Sequence, residues 1–215
     1  MPKLIKQIHD LFNIAIDKGV TEYIPNSKVD DIIDQGQMSF FRELLQKVPR
    51  TKRERNYLLP FEATQSITIA SSVGTLDAAF EHEIEAYVTV SSVKYPVKFI
   101  ERGFFRRRCL DKVDPPSTTN LFAVIYNDSV PKIEVSNDIT PVVLSYYRRP
   151  VKPNYATSEV DGYLQYDDAS STDVEWSDLV HDILIERTFQ ILGLNMREMQ
   201  VIQAGANVMP KSASI

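Results

Sequence analysis

"STDVEWSDLVHDILIERTFQILGLNMREMQVIQAG" occupies residues 171–205 and reads as one long helix. Thr172 and Glu175 have the spacing of a capping box, and Asp173, Glu175 and Asp178 put negative charge where the helix dipole is positive. Trp176, Leu179, Val180, Ile183, Leu184, Ile191 and Leu192 recur at helical spacing and predict a buried stripe. Gly193, Leu194 and Asn195 predict a kink or break, after which Met196, Met199 and Ile202 carry the pattern to Gly205. A helix of roughly 30 residues spans about 45 Å and needs an apolar surface of matching length.

The start of the chain offers that surface. Leu4, Ile5, Ile8, Leu11, Phe12, Ala15 and Ile16 predict a helix between Pro2 and Gly19. Ser27 is placed to cap a second helix, with Val29, Ile32, Ile33, Phe40, Phe41, Leu44, Leu45 and Val48 on one face and Pro49 ending it. Gly36 in its middle predicts a break into two pieces. Beyond the basic run at 50–55 the period changes to two. "SITIASSV", "IEAYVTVSS", "YPVKFIE", "LFAVIYN", "KIEVS" and "PVVLSYY" are short β-branched and aromatic runs, with a hairpin turn at Asn127, Asp128 and Ser129. Pro96, Pro131 and Pro141 suit strand ends or edges.

Residues 150–171 have no period. A loop of that length is more often functional than idle, and Tyr155, Tyr163, Leu164 and Tyr166 predict that it is tied down. The expected fold class is therefore α+β: a small helical bundle, made of two N-terminal helices plus a long C-terminal helix, with an inserted antiparallel β-sheet or barrel of five or six strands. The expected partition is helices at 1–56, β insertion at 57–149, extended arm at 150–171, C-terminal helix at 172–205 and a free tail at 206–215.

With 215 residues, 43% of them hydrophobic and 25% charged, the chain can bury a core, and no run approaches a membrane span. No export signal is visible, and the lone Cys109 suits a reducing cytosol. The net charge of −5 conceals segregation. Arg50, Lys52, Arg53 and Arg55 form one basic cluster; Lys98, Arg102, Arg106, Arg107, Arg108 and Lys112 form another; Arg148, Arg149 and Lys152 follow. Residues 154–182 carry Glu159, Asp161, Asp167, Asp168, Asp173, Glu175, Asp178 and Asp182 with no lysine or arginine. Such separation steers a partner of opposite sign, either nucleic acid or another copy of the chain.

Catalytic patterns are missing from the sequence: no phosphate-cradling glycine loop and no nucleophile elbow. His9-Asp10 and His181-Asp182 resemble metal-binding dipeptides but sit on amphipathic helices, so a structural role is expected, with no metal and no cofactor. Cys109 stands beside three arginines that would lower its pKa, but no histidine is placed to make it a nucleophile. The basic clusters have aromatic neighbours (Phe99, Phe104, Phe105, Tyr146 and Tyr147), a composition shared by nucleic-acid grooves and interface hot spots. Acidic residues docking on a neighbour's arginines would make a head-to-tail contact, which closes into a ring or runs on as a filament. The acidic side comprises Glu159, Asp161, Tyr163, Tyr166, Asp167 and Asp168, and the basic side Arg50, Lys52, Arg53, Arg106, Arg107, Arg108, Arg148 and Arg149. The alternative is a nucleic-acid-binding module using the arginine clusters.

The order of elements, together with "LSYYRRPVKPNY" and "YLQYDDASSTDVEWSDLVHDILIERTFQILGLNMRE", resembles the head–tail connector (adaptor or neck-ring) proteins of tailed bacteriophages, and in particular neck and virion structural proteins of crAss-like phages. The β insertion is larger than in the simplest helical adaptors. The resemblance implies a virion protein synthesised in the host cytoplasm, assembled as a homo-oligomeric ring, commonly of twelve copies, beneath the portal protein. It implies contacts with other neck and tail proteins and a channel through which packaged DNA passes without sequence specificity. It also assigns residues 194–215 to portal docking, with Met196, Met199, Ile202, Val208 and Met209 as apolar anchors.

Overall fold

The computed structural model describes residues 3–17, 25–47 and 51–191, and the chain divides into two units, Met1–Pro60 with Pro150–Ile215, and Phe61–Arg149. In the first unit α1 (Leu4–Asp17) buries Leu4, Ile5, Ile8 and Phe12, and α2 (Asn26–Gln46) buries Val29, Ile33, Phe41 and Leu44. The second helix is unbroken through Gly36. There a Cβ would lie 3.3 Å from Thr188 Oγ1, so the glycine marks a close approach of two helices rather than an interruption. The helix starts after Pro25, and Ser27 makes no cap. Next comes α3 (Lys52–Leu58), where Thr51 and Glu54 form a reciprocal capping box and turn the basic run into a short helix.

The long C-terminal helix expected from Thr172 does not begin there. Residues 172–177 are irregular, a 3-10 turn covers Asp178–Val180, and α5 runs His181–Ile191. The capping box is replaced by longer-range bonds. Asp173 accepts the N–H groups of Leu4 at 3.0 Å and Ile5 at 2.9 Å, so it caps α1, while Glu175 accepts Val151 N–H at 2.9 Å. Trp176 is buried against Phe40, with ring centroids 5.1 Å apart, and Phe189 meets Phe12 at 5.9 Å. Leu179, expected in the buried stripe, is exposed because the helix starts two residues after it.

The second unit is a seven-stranded sheet in the order β1 (Glu62–Ile67), β7 (Val142–Arg148), β3 (Phe80–Val90), β4 (Val93–Phe99), β5 (Leu121–Asn127), β6 (Pro131–Val135) and β2 (Val73–Thr75). Neighbours are antiparallel except β4 and β5, which are parallel from Val97↔Leu121 to Phe99↔Ala123. The sheet curls. Its two edge strands are joined by a hairpin at Ala70↔Val73, and Gln65 bridges them by donating to Thr75 O at 3.4 Å and accepting Asp77 N–H at 3.0 Å. Gly74 is required at this seam, since a Cβ would collide with Ile67 Cγ2 and come within 2.8 Å of Ile69 Cδ1. Two hairpins turn on serine pairs, Ser71-Ser72 and Ser91-Ser92, all four with positive φ, as a two-residue type I′ turn demands.

On β5, Leu121 and Ala123 belong to the cluster inside the curl with Ile67, Val88, Ile133 and Leu144. Phe122 and Val124 pack on the other face against Phe105 of α4 (Arg102–Cys109). That explains the unbroken apolar run "LFAV": both faces of this strand are covered.

The expected fold class is overturned. The chain is a mixed α/β protein, rich in strands, with a large curled sheet and five helices among the described residues. It is not a small helical bundle with an inserted antiparallel sheet or barrel. Two features of the chain separate its fold from its periodicity. The C-terminal segment gives six of its helical-looking residues to irregular structure, and the β region contains more strands, in a partly parallel order, than its apolar runs suggest.

Candidate functional site: an acidic hairpin and a basic helix

The aperiodic segment 150–171 is organised by two local devices. Tyr155 stacks on His9 with ring centroids 4.1 Å apart, and its N–H donates to Asp30 Oδ2 at 3.1 Å. His9 Nε2 lies 2.9 Å from Asp30 Oδ1, and both side chains are buried. His9 is thus a structural residue, and burial raises the Tyr155 hydroxyl's pKa. Beyond this anchor the chain forms a hairpin, β8 (Thr157–Val160) and β9 (Tyr163–Tyr166), turning on Asp161-Gly162 with φ of 52° and 82°. Asp-Gly between extended residues is a type I′ signal that the sequence carries and that the absence of longer periodicity obscured.

The hairpin divides the acidic residues. Glu159, Val160 and Asp161 are exposed, with Tyr163 at 73% and Leu164 at 76% accessibility. Tyr166 folds back on Tyr155 at 4.9 Å, with the Lys6 ammonium 5.9 Å from its ring. Asp167 holds its own turn by accepting from Ser170 and Ala169, and the Ser170 hydroxyl above all keeps its carboxyl below the usual range. Asp168 pairs with Lys3 at 3.5 Å. Of the expected acidic side, Glu159, Asp161, Tyr163 and Asp168 are therefore exposed, Asp168 while pairing with Lys3, and Tyr166 and Asp167 are half-buried and held by local contacts.

The basic residues lie on three separate elements. Lys52 and Arg53 are exposed on α3, where the Arg53 guanidinium bonds the Tyr57 hydroxyl and lies 5.6 Å from its ring. Arg148 ends β7 over the Phe61 ring at 5.8 Å, and Arg149 pairs with Glu81 at 3.1 Å. The main concentration is α4, which buries Phe105 and turns Arg106, Arg107 and Arg108 outward. Cations in a last helical turn suit the negative end of the dipole. Arg108 is partly spent on Asp111 at 2.8 Å and Asp114 at 3.7 Å. Arg106 and Arg107 have no ion pair among the described residues. Arg50, Met196, Met199, Ile202, Val208 and Met209 lie outside the described residues.

Exposed apolar groups flank these arginines: Phe104 at 57%, Leu110 at 80% and Val113 at 93%. Sequence reasoning did not single out Leu110 or Val113 for a site, because isolated apolar residues in a polar linker give no periodic signal. Two grooves border the helix. One, of about 430 Å³, is lined by Ile100, Glu101, Phe104, Arg107, Arg108 and Asp111. The other, of about 310 Å³, includes Phe105, Arg106, Cys109 and Leu110. Cys109 is not an activated thiol, since burial, then the charge of Glu134, push its pKa up rather than down.

His181 meets Trp176 O at 3.2 Å rather than a ligand set, and no group of three or more His, Cys, Asp or Glu side chains among the described residues is placed to hold a metal. No described helix is long and apolar enough to cross a membrane. What remains is one hairpin that is acidic and apolar at its tip, and one helix that is basic and apolar at its flanks. No protein-family model matches the chain, and no curated protein matches it.

Proposed function

We propose that this chain is a structural, non-enzymatic virion protein whose copies join into a neck ring that connects the portal to the tail and extends the DNA channel. The observation that supports it is the pairing of unlike exposed surfaces: Glu159, Asp161, Tyr163 and Leu164 on the hairpin, and Arg106, Arg107, Phe104 and Leu110 on α4. Identical chains that meet through two different patches make a heterologous contact, which closes into a ring when the rotation allows. Opposite charge steers the encounter, and the aromatic and aliphatic groups supply desolvated anchors. The resemblance of residues 144–205 to connector proteins supplies the remaining parts: a ring of about twelve copies, portal docking by residues 194–215, and further neck and tail proteins as partners. A net charge of −5 per copy suits a conduit through which DNA slides, because phosphates are not neutralised in number.

The test is charge reversal with compensation. R106E/R107E/R108E leaves a folded chain whose assembly weakens at least tenfold by light scattering. Adding E159R/D161R to the same chain restores it. Assembly that persists in the triple variant, or a compensated chain that stays monomeric, refutes the docking. Salt-sensitive DNA binding by the monomer that disappears in the triple variant would instead favour the nucleic-acid-binding module.

A further inference from the structure

One strand of the curled sheet stops early. β3 pairs with β7 along most of its length but with β4 only from Tyr87 to Val90. β4 then crosses to β5, ends at Phe99, and the chain turns into α4 at Arg102. On the far side, β5 pairs with β4 only through Ala123, and Ile100 N–H donates to Ala123 O at 2.9 Å as the last rung. In register, Phe80–Glu83 of β3, a bulged stretch, and Val124–Asn127 of β5 therefore flank the place where β4 would have continued. Among the described residues no strand fills it. A cleft of about 470 Å³ lies there, lined in part by Phe80, Glu83, Phe99, Glu101, Ile125 and Tyr126.

We infer that this gap accepts an extended basic segment of a partner protein, which adds a short strand between β3 and β5. Two open edges offer main-chain donors and acceptors on both sides of the guest, where an ordinary sheet edge offers them on one. At about 3.3 Å per residue, a guest of about four residues spans about 13 Å, which matches the free edge of β5. The aromatic and aliphatic lining suits alternate side chains of the guest. The carboxylates favour basic ones: Glu83 and Glu101 lie at the cleft, and Glu81 beside them is held by Arg149. Arg102, whose guanidinium is 4.8 Å from the Tyr126 ring, marks the flank of the opening. The cleft shares Ile100 and Glu101 with the groove beside α4, but the proposal stands or falls without the ring.

The experiment offers the full chain three capped peptides, Val-Lys-Val-Lys-Val-Lys, Val-Glu-Val-Glu-Val-Glu, and a lysine peptide with proline at each valine. Amide hydrogen exchange is read at His82–Glu83 and Val124–Asn127. The lysine–valine peptide is expected to slow exchange at both edges at least threefold. The glutamate peptide and the proline peptide, which keeps the charge but loses every second N–H and so cannot bond both edges, leave them unchanged. E83Q/E101Q weakens the protection at least threefold. Equal protection by the lysine and proline peptides reduces the effect to surface charge and overturns the proposal. So do protection by the glutamate peptide and protection by none. Protection that rises with protein concentration in the absence of peptide assigns the gap to a second copy and overturns it as well.

Discussion

Replacing Asp173 by alanine isolates the interaction that most changes the reading of the C-terminal segment. Its carboxylate accepts Leu4 N–H at 3.0 Å and Ile5 N–H at 2.9 Å, two donors of a first helical turn that no intrahelical carbonyl reaches. Leu4 and Ile5 are 1% and 0% exposed, so water replaces the lost acceptor poorly. Loss of a helix cap costs about 0.5–2 kcal/mol, and two bonds to a charged acceptor place this site at the upper end, about 2 kcal/mol. For a chain of this size that lowers Tm by about 4–8 °C. Thr172→Ala is the control, because the sequence pattern makes Thr172 the cap, whereas the structure leaves it exposed with only a backbone bridge to Asn154. Differential scanning calorimetry should show Asp173→Ala falling by that amount and Thr172→Ala unchanged within about 1 °C. Equal losses in the two variants, or none in Asp173→Ala, would refute the assignment of the cap.

Gly74→Ala forces a Cβ against Ile67 and Ile69 at the seam of the curl and is expected to destabilise by about 1–3 kcal/mol, read by urea unfolding. Replacing Ser91-Ser92 by Asn-Gly relieves two left-handed serines in a type I′ turn; a gain of about 1 kcal/mol in the same assay is expected, and a loss would contradict the turn assignment. The Glu43 carboxyl is held below the usual range, first by the hydrogen bond from Lys47 and then by that from Arg187. A depressed carboxylate contributes stability above its unfolded pKa and loses it as pH falls through the folded value. Melting temperature should thus drop on acidification below about pH 4.5, the carboxyl's ordinary value, and less steeply in Glu43→Gln; identical pH profiles would contradict the pairing.

Local signals were legible where the chain answers to itself. The α1 stripe, the apolar face of α2 and the period-two runs around β6 and β7 follow from side-chain spacing alone, because those residues meet water or core according to a fixed geometric repeat. The Asp161-Gly162 turn is equally present in the sequence, but its signal is weak because only a short strand flanks it on either side. The serine turns were harder: serine favours no left-handed conformation by itself, and the pairing of the flanking strands holds it there. For the site, the acidic and basic residues could be enumerated, but not which of them point outward. Asp167 and Glu159 are the same kind of residue in the same segment, and only the local hydrogen bonds turn one inward and leave the other free.

The amino-acid sequence by itself determined the segregation of charge, the helical start, the β-rich middle and the lack of recognisable catalytic patterns. Each is a property of composition or of spacing over one or two turns. Only the tertiary structure decided that Asp173 serves a helix at the other end of the chain, that Gly36 is a contact rather than a break, that β4 and β5 run parallel, and that β4 stops short and leaves a gap. These are pairings between residues far apart in sequence. Their free energy depends on which groups are brought together, and no local pattern encodes that choice.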